Sequence, residues 1–488
     1  MAIVGFLLGI LLFNIATATR YPNVWRDEVQ YTAPAANLVS GRGFTSSMWF
    51  YQASDRFWTV NMPLHPLILS GWIRVFGLSP LSVRSIDYVW FALGTFFLWR
   101  FCVRIRWVEQ TRLRLLLVIL LACGSAVSFS YRSGRCDMLG YFLSAVSLCA
   151  ATLPKNATRY ACLLALGFLF PWAGLALLPM LAIATILVLA FWGVRKALNG
   201  VCLGAGAALG LGGLFVLYQS QHVWQDVIVM VTRCTVGSIS QSHAHGNIAA
   251  LPEVLARDRS APFLLLLTAI LAARAWNAGN SRVLRITLFA LAVEICIPIG
   301  VHLCGMFPIY YGWMAALPAT LTLCHALSLQ PPQSRWAKGV AVLLLSAAIL
   351  VGLPFRMAGM ALGWSEAPYS ALETFVSSNL NNHDCALIDE AAYYPAFRTA
   401  KRVFATCYLE TAMRPEEKKS LTALVIAPEE FPSIARELGG DWKFVAEFKS
   451  DTAPSRLPAS WARYLRSPAR SALDASYHLA VYRQAPAK

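Results

Sequence analysis

"NVWRDEVQYTAPAANLVSGRGF", residues 23–44, follows directly on an apolar run and places Arg26, Asp27 and Glu28 side by side. One interpretation is helix capping, with Asp27 as the N-cap residue and Gln30 completing a capping box three positions later. Capping explains one acid, but it explains neither the second acid nor Arg26. A functional interpretation of the acid pair therefore stays open beside the structural one.

The composition of the chain is that of a membrane protein. Of the 488 residues, 57% are hydrophobic and 14% are charged, whereas about a quarter of an ordinary soluble domain is charged. The net charge of +16 is a feature of many nucleic-acid-binding proteins. Here the basic residues lie mostly at the ends of apolar runs, where topology signals are found. The pattern predicts an α-helical polytopic membrane protein that does not bind nucleic acid.

Apolar runs of roughly bilayer length predict about eleven transmembrane helices. They lie at 3–18, 83–101, 114–130, 137–153, 159–171, 173–192, 199–217, 261–276, 285–304, 308–328 and 338–355. Two long loops separate some of them, at 19–82 and 218–260, and long ordered loops are usually functional. The first loop contains a short apolar piece, Met62–Gly77, which we interpret as a helix lying on the membrane surface.

The distribution of charges predicts the orientation. If the N-terminus lies in the cytoplasm, every cytoplasmic loop is basic and Glu109 is the only acid on that side. The two long loops and everything after residue 355 then lie outside the cell or in the periplasm. We therefore expect a multi-pass membrane protein with a cytoplasmic N-terminus.

The polar residues 356–488 predict a small α/β domain on the outer face, after a transmembrane catalytic domain at 1–355. Alternating apolar runs predict strands at 385–389, 402–406, 422–426, 444–448 and 477–482. Helices are predicted at 369–380 and 429–438. Cys385 and Cys407 are the cysteines of this domain, and an oxidising compartment would allow them to pair.

A second charged motif is "SYRSGRCDMLGYF", residues 130–142, on the next outer loop. In the structural interpretation Asp137 caps a helix, and Arg132 and Arg135 anchor it at the membrane interface. In the functional interpretation Arg135 binds an anion, since a guanidinium group suits phosphate oxygens, and Asp137 orients it. The sequence leaves both interpretations open.

Other classes of function remain open at this point. A transporter or lipid flippase would use charges within the spans, for which the chain offers Asp87 and Glu294. A non-catalytic scaffold would present residues 356–488. His243 and His245 in the second long loop could both bind a metal ion. A loop that gates access of the substrate suits the segment better.

The order of these pieces resembles a known family. An N-terminal helix and the "DE" loop are followed by "GRGF" and by "PLHPLILSGWIRVFGLSPLSVRSIDYVWFALGTFFLW" at 63–99. The "GRCDMLG" turn, "IYYGWMAALPATLTL" at 309–323 and a polar C-terminal domain come next. This order is similar to that of the GT-C membrane glycosyltransferases. The closest branch is the bacterial one related to protein O-mannosyltransferases and aminoarabinose lipid A transferases.

The resemblance implies roles for particular residues. Asp27 matches the acid assigned as the catalytic base or its orienter, and Glu28 is the second acid of the pair. Other matching residues would bind the donor phosphate or substrate: Arg135, Asp137, Arg132, His65 and Tyr310. Here the proline stretch reads Pro63–Leu64–His65–Pro66, and a basic residue found in some members before it is absent. Arg56 or another loop residue is the candidate replacement.

The implied reaction is inverting transfer of a hexose or pentose from a polyprenyl-phosphate donor. The acceptor is a hydroxyl of a glycan, lipid or protein at the outer membrane surface. A carboxylate removes the acceptor proton, and an arginine balances the charge of the departing lipid phosphate. The sequence requires no cofactor, and it neither supports nor excludes a divalent metal.

Overall fold

A computed structural model of the chain describes residues 2–175, 197–232, 255, 258–303, 308–362, 369–409, 411–450 and 477–485. By packing, these residues fall into two compact units. The first unit comprises Met1–Phe13 and Asp87–Met357, and the second comprises Asn14–Ile86 and Ala358–Lys488. The first long loop, residues 19–82, thus belongs to the same unit as the C-terminal part of the chain.

Apolar α-helices make up most of the chain before residue 363. In chain order they are α1 (Ala2–Thr17), α2 (Arg26–Val39), α3 (Leu64–Phe76), α4 (Pro80–Arg104), α5 (Thr111–Cys123), α6 (Ser125–Arg132), α7 (Asp137–Ala150), α8 (Ala157–Ala173), α9 (Ala197–Ser220), α10 (Trp224–Thr232), α11 (Ala261–Asn277), α12 (Ser281–Leu303), α13 (Pro308–Leu329), α14 (Arg335–Leu350) and α15 (Leu353–Leu362).

Among the described residues, four helices are long and apolar enough to cross a membrane. The number rises to six if each of two bent helix pairs is one span. The chain is therefore a multi-pass membrane protein, as predicted. The expected number of about eleven spans is not established. The span predicted at 173–192 lies almost entirely outside the described residues.

Both bent pairs break at a glycine in the first unit. The α5–α6 pair bends by 59° and the α14–α15 pair by 47°. A Cβ atom at Gly352 would lie 1.9 Å from the carbonyl oxygen of Cys123, so the two breaks touch through their backbones. A side chain in that position would force the helices apart. The continuous spans predicted at 114–130 and 338–355 are therefore broken ones.

Small residues also bring α8 and α9 together in the first unit. A Cβ atom on Gly167 would meet the Leu203 carbonyl oxygen at 2.2 Å, and one on Gly206 would meet that of Leu164 at 2.1 Å. Small residues on facing helices allow this backbone approach, which drives helix association where the surrounding lipid is as apolar as the side chains.

The C-terminal part of the second unit is a five-stranded sheet with short helices. The strands are β1 (Cys385–Ile388), β2 (Arg402–Ala405), β3 (Ala423–Ile426), β4 (Trp442–Lys449) and β5 (His478–Gln484). The helices are α16 (Tyr369–Asn379), α17 (Tyr393–Thr399), α18 (Thr406–Leu409), α19 (Pro415–Ser420) and α20 (Phe431–Leu438), with a 3-10 helix at Glu390–Ala392. The strand order is β2-β1-β3-β5-β4.

The sheet confirms the predicted strands. β1 pairs in parallel with both β2 and β3, and β5 pairs antiparallel with β3 and β4. The short apolar runs suit the parallel strands, because their side chains are buried on both faces. All four residues of β3 are buried.

The first long loop lies against β2, at the edge of this sheet. The Ala405 amide donates to the Ser47 carbonyl oxygen at 3.1 Å, and the Ser47 hydroxyl donates to the Val403 carbonyl oxygen at 2.6 Å. A few residues on, the Ser54 hydroxyl donates to buried Glu417 at 2.5 Å. The loop thereby covers hydrogen-bonding groups that an edge strand would otherwise expose.

Candidate active site

The acid pair lies in the first turn of α2. This helix begins at Arg26, and its N-cap residue, Trp25, makes no side-chain cap bond. The prediction that Asp27 is the N-cap is therefore wrong, because the helix starts one residue before it. Both acids lie in the first turn, where the helix dipole favours negative charge.

Glu28 forms a buried ion pair with Arg84 of α4. Arg84 Nε lies 3.1 and 3.2 Å from the two carboxylate oxygens, and Nη2 lies 2.5 Å from Oε2. The Tyr394 hydroxyl donates to Oε1 at 2.7 Å. Arg84 Nη1 donates to the carbonyl oxygens of Ala18 and Pro22. Both side chains of the pair are 1% exposed or less.

Burial and these contacts act in opposite directions on the pKa of the Glu28 carboxyl. Burial raises its pKa, while the charge of Arg84 and the hydrogen bonds from Arg84 and Tyr394 act in the opposite direction. Both carboxylate oxygens are engaged by protein donors. The geometry therefore suits a structural tie between α2, α4 and α17 better than an acid that meets substrate.

Asp27 stands between two anchored residues and is itself partly exposed. On one side, Arg26 Nε donates to Glu390 Oε1 at 2.7 Å, and the guanidinium group lies 5.5 Å from the centre of the Phe50 ring. On the other side, Glu28 is held as described above. Of the two acids, Asp27 is the one that solvent reaches.

His65 and Arg56 lie in the same unit as the acid pair. His65 is 1% exposed in α3 and meets the Tyr31 ring edge-on, with ring centres 5.9 Å apart. Neither ring nitrogen has a hydrogen-bond partner among the described residues. Burial lowers the pKa of His65 to about 4, so the ring is neutral at physiological pH. Arg56 is exposed in a turn, where its amide donates to the Ala53 carbonyl oxygen.

The second motif forms a turn between α6 and α7 in the first unit. Gly134 has a φ of 68°, a conformation that glycine adopts without strain, and Asp137 opens α7. Arg135 Nε donates to Asp137 Oδ2 at 2.7 Å, and Trp313 Nε1 donates to Oδ1 at 3.3 Å. The Arg135 guanidinium group lies 5.6 Å from the centre of the Tyr311 ring.

This geometry tests the interpretation that Asp137 caps a helix. Asp137 is the first residue of α7 and the preceding N-cap residue makes no side-chain cap bond, so the capping interpretation is wrong. Asp137 instead orients Arg135. Both side chains are nearly buried, and Arg132 at the end of α6 is buried too. A role of these residues in phosphate binding stays a prediction.

The structure thus separates the predicted site residues by unit. Asp27, Glu28, His65 and Arg56 belong to the second unit, and Arg132, Arg135 and Asp137 belong to the first. Tyr310 lies in the first turn of α13, but its side chain is outside the described residues, as are His243 and His245. Within the described part of the chain, no group of three or more His, Cys, Asp or Glu could hold a metal ion.

The sequence did not predict the partners of Glu28 or of the Arg135–Asp137 pair. Arg84 and Tyr394 hold Glu28, while Trp313 and Tyr311 contact the Arg135–Asp137 pair. An arginine in an apolar run was the one available signal, since Arg84 lies near the start of a span and needs a counter-charge. No disulfide joins Cys385 to Cys407; the Cys407 thiol instead contacts the Met48 carbonyl oxygen at 3.9 Å.

Comparison with known proteins establishes the fold. No family model and no curated protein sequence matches the chain. Among solved structures, it is similar to ArnT from Cupriavidus metallidurans bound to undecaprenyl phosphate. The TM-score is 0.53 at 13% identity, over 99% of this chain and 98% of that one. The chain has the GT-C fold.

Two further structures match less well. Arabinofuranosyltransferase AftD from Mycobacteria gives a TM-score of 0.49 at 12% identity, over 99% of this chain and 40% of that one. The archaeal oligosaccharyltransferase AglB from Archaeoglobus fulgidus, in complex with an inhibitory peptide and a dolichol-phosphate, gives 0.47 at 11% identity, over 93% and 75%. Because one fold hosts different chemistries, function has to be argued from the site.

Proposed function

We propose that the chain is a glycosyltransferase that moves a sugar from a polyprenyl-phosphate donor to an acceptor hydroxyl. The observation that carries the proposal is the first turn of α2, where partly exposed Asp27 lies between two anchored neighbours. The GT-C fold supports it, since the ArnT structure with that fold is bound to undecaprenyl phosphate.

In the proposed reaction Asp27 acts as the general base. It takes the proton of the acceptor hydroxyl while that oxygen attacks the anomeric carbon of the sugar. The bond between this carbon and the phosphate oxygen breaks, and the lipid phosphate leaves with the electron pair. A single displacement of this kind inverts the anomeric centre. A positioned base typically contributes about 10²–10⁴-fold to the rate.

Arg135 is the proposed partner of the departing phosphate. Asp137 and the Tyr311 ring contact its guanidinium group, which is 4% exposed. An oriented cation in a poorly hydrated site stabilises developing negative charge more than a hydrated one does. Arg132, Arg56, Tyr310 and neutral His65 are proposed to contact the donor or acceptor, whereas Glu28 is proposed to hold the turn rather than to accept a proton.

The reaction as proposed needs no cofactor, because a carboxylate and an arginine supply the two charges. Turnover that survives a chelator such as EDTA is the expected result. Turnover that disappears with EDTA and returns with Mg²⁺ or Mn²⁺ would contradict this part of the proposal.

We also propose that the reaction takes place on the outer face of the inner membrane, with the N-terminus inside. The charge pattern supports this orientation, because basic residues then lie in the cytoplasmic loops. The lipid-linked donor supports it too, since nucleotide sugars are made inside the cell and do not cross the membrane. Reporter fusions after Lys155 and after Phe355 should indicate cytoplasm and exterior, respectively. The reverse result would place the acid pair on the cytoplasmic side.

A direct assay tests the function. The full-length protein in lipid nanodiscs is incubated with a panel of undecaprenyl-phosphate-linked hexoses and pentoses, together with a cell-envelope extract that contains lipid, glycan and protein acceptors. Release of undecaprenyl phosphate, with the sugar recovered on an acceptor in inverted configuration, is expected for at least one donor. Movement of labelled lipid across vesicles without release of undecaprenyl phosphate would instead support a flippase.

A further inference from the structure

One short segment of the C-terminal part binds both neighbours of Asp27. We call it the anchoring turn; it consists of residues 389–394. Its Glu390 accepts from Arg26 at 2.7 Å, and its Tyr394 donates to Glu28 at 2.7 Å. All of these residues belong to the second unit. Asp27 is therefore bracketed by two side chains that end on the same turn.

The anchoring turn is itself firmly held by the sheet. It follows β1, the middle of the three parallel-paired strands. The Asp389 amide donates to the Val425 carbonyl oxygen at 2.8 Å, and Asp389 Oδ1 accepts from the Ala391 amide at 2.8 Å. Tyr394 is fully buried. In open α/β sheets, the carboxyl ends of such strands are where ligands usually bind. Here that position receives the start of α2.

Binding both neighbours of a residue constrains its backbone strongly. Successive helix residues point about 100° apart, so anchors at positions 26 and 28 fix both the height and the rotation of the turn between them. The Glu28–Arg84 ion pair adds a third constraint from α4. Such precision matters for a base, since a shift of about 1 Å at a reacting group can cost about 10²-fold in rate.

We propose that the anchoring turn positions Asp27 for catalysis, with Glu390 and Tyr394 as positioning residues. The C-terminal α/β part is then a working component of the active site rather than an appended domain. This inference rests on the proposed role of Asp27 as the base. Neither Glu390 nor Tyr394 needs to touch the substrate.

Two adjacent tyrosines provide a matched pair of variants. Tyr394→Phe removes the hydroxyl that binds Glu28. Tyr393→Phe removes a buried hydroxyl that has no hydrogen-bond partner among the described residues. Both changes leave a phenyl ring in the same helix. We expect Tyr394→Phe to lower kcat about 10- to 100-fold with an unchanged KM for the undecaprenyl-phosphate sugar, and Tyr393→Phe to leave both constants unaltered.

A combined variant shows whether Tyr394 acts through Asp27. If it does, Tyr394→Phe has no further effect on the residual turnover of Asp27→Asn, because the positioned group is already lost. Glu390→Gln, which keeps the shape but removes the charge opposite Arg26, should behave in the same way with a smaller loss of kcat. Equal losses in the wild-type and Asp27→Asn backgrounds would overturn the proposal.

A measurement without substrate separates this inference from the proposed function. Asp27 is labelled with a water-soluble carbodiimide and glycine ethyl ester, and the rate is read by mass spectrometry. A several-fold change of the rate in Tyr394→Phe, but not in Tyr393→Phe, is expected. Identical rates in both variants would overturn the positioning role. An active Asp27→Asn would contradict the proposed role of Asp27 as the base, on which this inference rests, whereas the labelling reports independently whether the turn holds Asp27.

Discussion

Two buried carboxylate–arginine pairs hold the charged motifs of this chain, and they differ in kind. Glu28 and Arg84 are 56 positions apart and meet through the packing of α2 and α4. Arg135 and Asp137 are two positions apart and meet within one turn. The first pair is joined by Tyr394, and the second by Trp313.

The difference shows how adjacent acids can have separate tasks. Arg84 donates hydrogen bonds to protein groups from Nε, Nη1 and Nη2, so its pair with Glu28 stabilises the fold. In the local pair, Arg135 Nε donates to Asp137 Oδ2, and this contact orients the arginine side chain. Both oxygens of the Glu28 carboxylate accept hydrogen bonds within the fold, whereas Asp27 is the partly exposed acid of the two.

The largest expected effect comes from Asp27→Asn, which leaves the first pair intact. The amide keeps the shape of the side chain but cannot accept the proton, so turnover should fall at least about 10²-fold. Release of undecaprenyl phosphate from the undecaprenyl-phosphate sugar measures it. The control is Asp55→Asn, at an exposed acid that pairs with Arg414 at 3.0 Å. Near-normal turnover of Asp27→Asn with normal folding would remove Asp27 as the base.

Glu28→Gln should mainly affect stability. It leaves the buried Arg84 without its counter-charge, and breaking such a pair costs about 3–5 kcal/mol of unfolding free energy. Thermal unfolding in detergent measures the loss. Glu373→Gln is the control, because its pair with Arg398 is partly exposed and should contribute less than about 1 kcal/mol. Equal stability of the two variants would mean that the Glu28 pair does not fasten the fold.

Arg135→Ala should weaken the binding of the donor as well as turnover. A phosphate is present in both the ground state and the transition state, so KM for the undecaprenyl-phosphate sugar rises while kcat falls. Loss of a hydrogen bond to a charged group corresponds to roughly 10- to 100-fold in affinity. Arg112→Ala, at an exposed arginine of α5, is the control. An unchanged KM in Arg135→Ala would leave the local pair a purely structural device.

The smallest effect is expected at a third ion pair, between Asp384 and Arg483, which is less buried than the other two. Burial would raise the pKa of Asp384, but hydrogen bonds from Arg483 and its neighbours outweigh this and lower it. A lowered pKa means that this stabilisation is present above the ordinary pKa of 3.8 and is lost as the pH falls below it. Asp384→Asn should cost about 1 kcal/mol or less at neutral pH. The difference in unfolding free energy between the wild-type protein and Asp384→Asn should be smaller at pH 3 than at pH 6. The same difference at both pH values would contradict the assignment.

Local patterns in the sequence were enough to predict the strands. The run "TALVI" predicts a strand at 422–426, and β3 is Ala423–Ile426. Alternation and apolar runs report burial directly, so they succeed where structure is decided by neighbouring residues. The GT-C fold was likewise predictable from the order of the motifs.

The partners of the acids could not be predicted in this way. Tyr394 lies 366 positions from Glu28, and no spacing rule connects residues so far apart. The capping interpretation of Asp27 failed for a related reason. Helix boundaries are uncertain by one or two residues, and a shift of one residue turned an N-cap into a first-turn position. Broken spans also escape a hydropathy pattern, because a single glycine such as Gly124 or Gly352 hardly changes the mean hydropathy of an apolar run.

The anchoring turn has a consequence for how the protein is made. Arg26 waits for a partner 364 positions further along the chain. At a synthesis rate of about 5–20 residues per second, that partner is made about 20–70 s after Arg26. Until then Arg26 lacks Glu390 and Glu28 lacks Tyr394. Of the three contacts described for the two neighbours of Asp27, only the pair between Glu28 and Arg84 can form earlier. A nascent chain would therefore acquire a positioned base only near the end of translation, once its last quarter has folded.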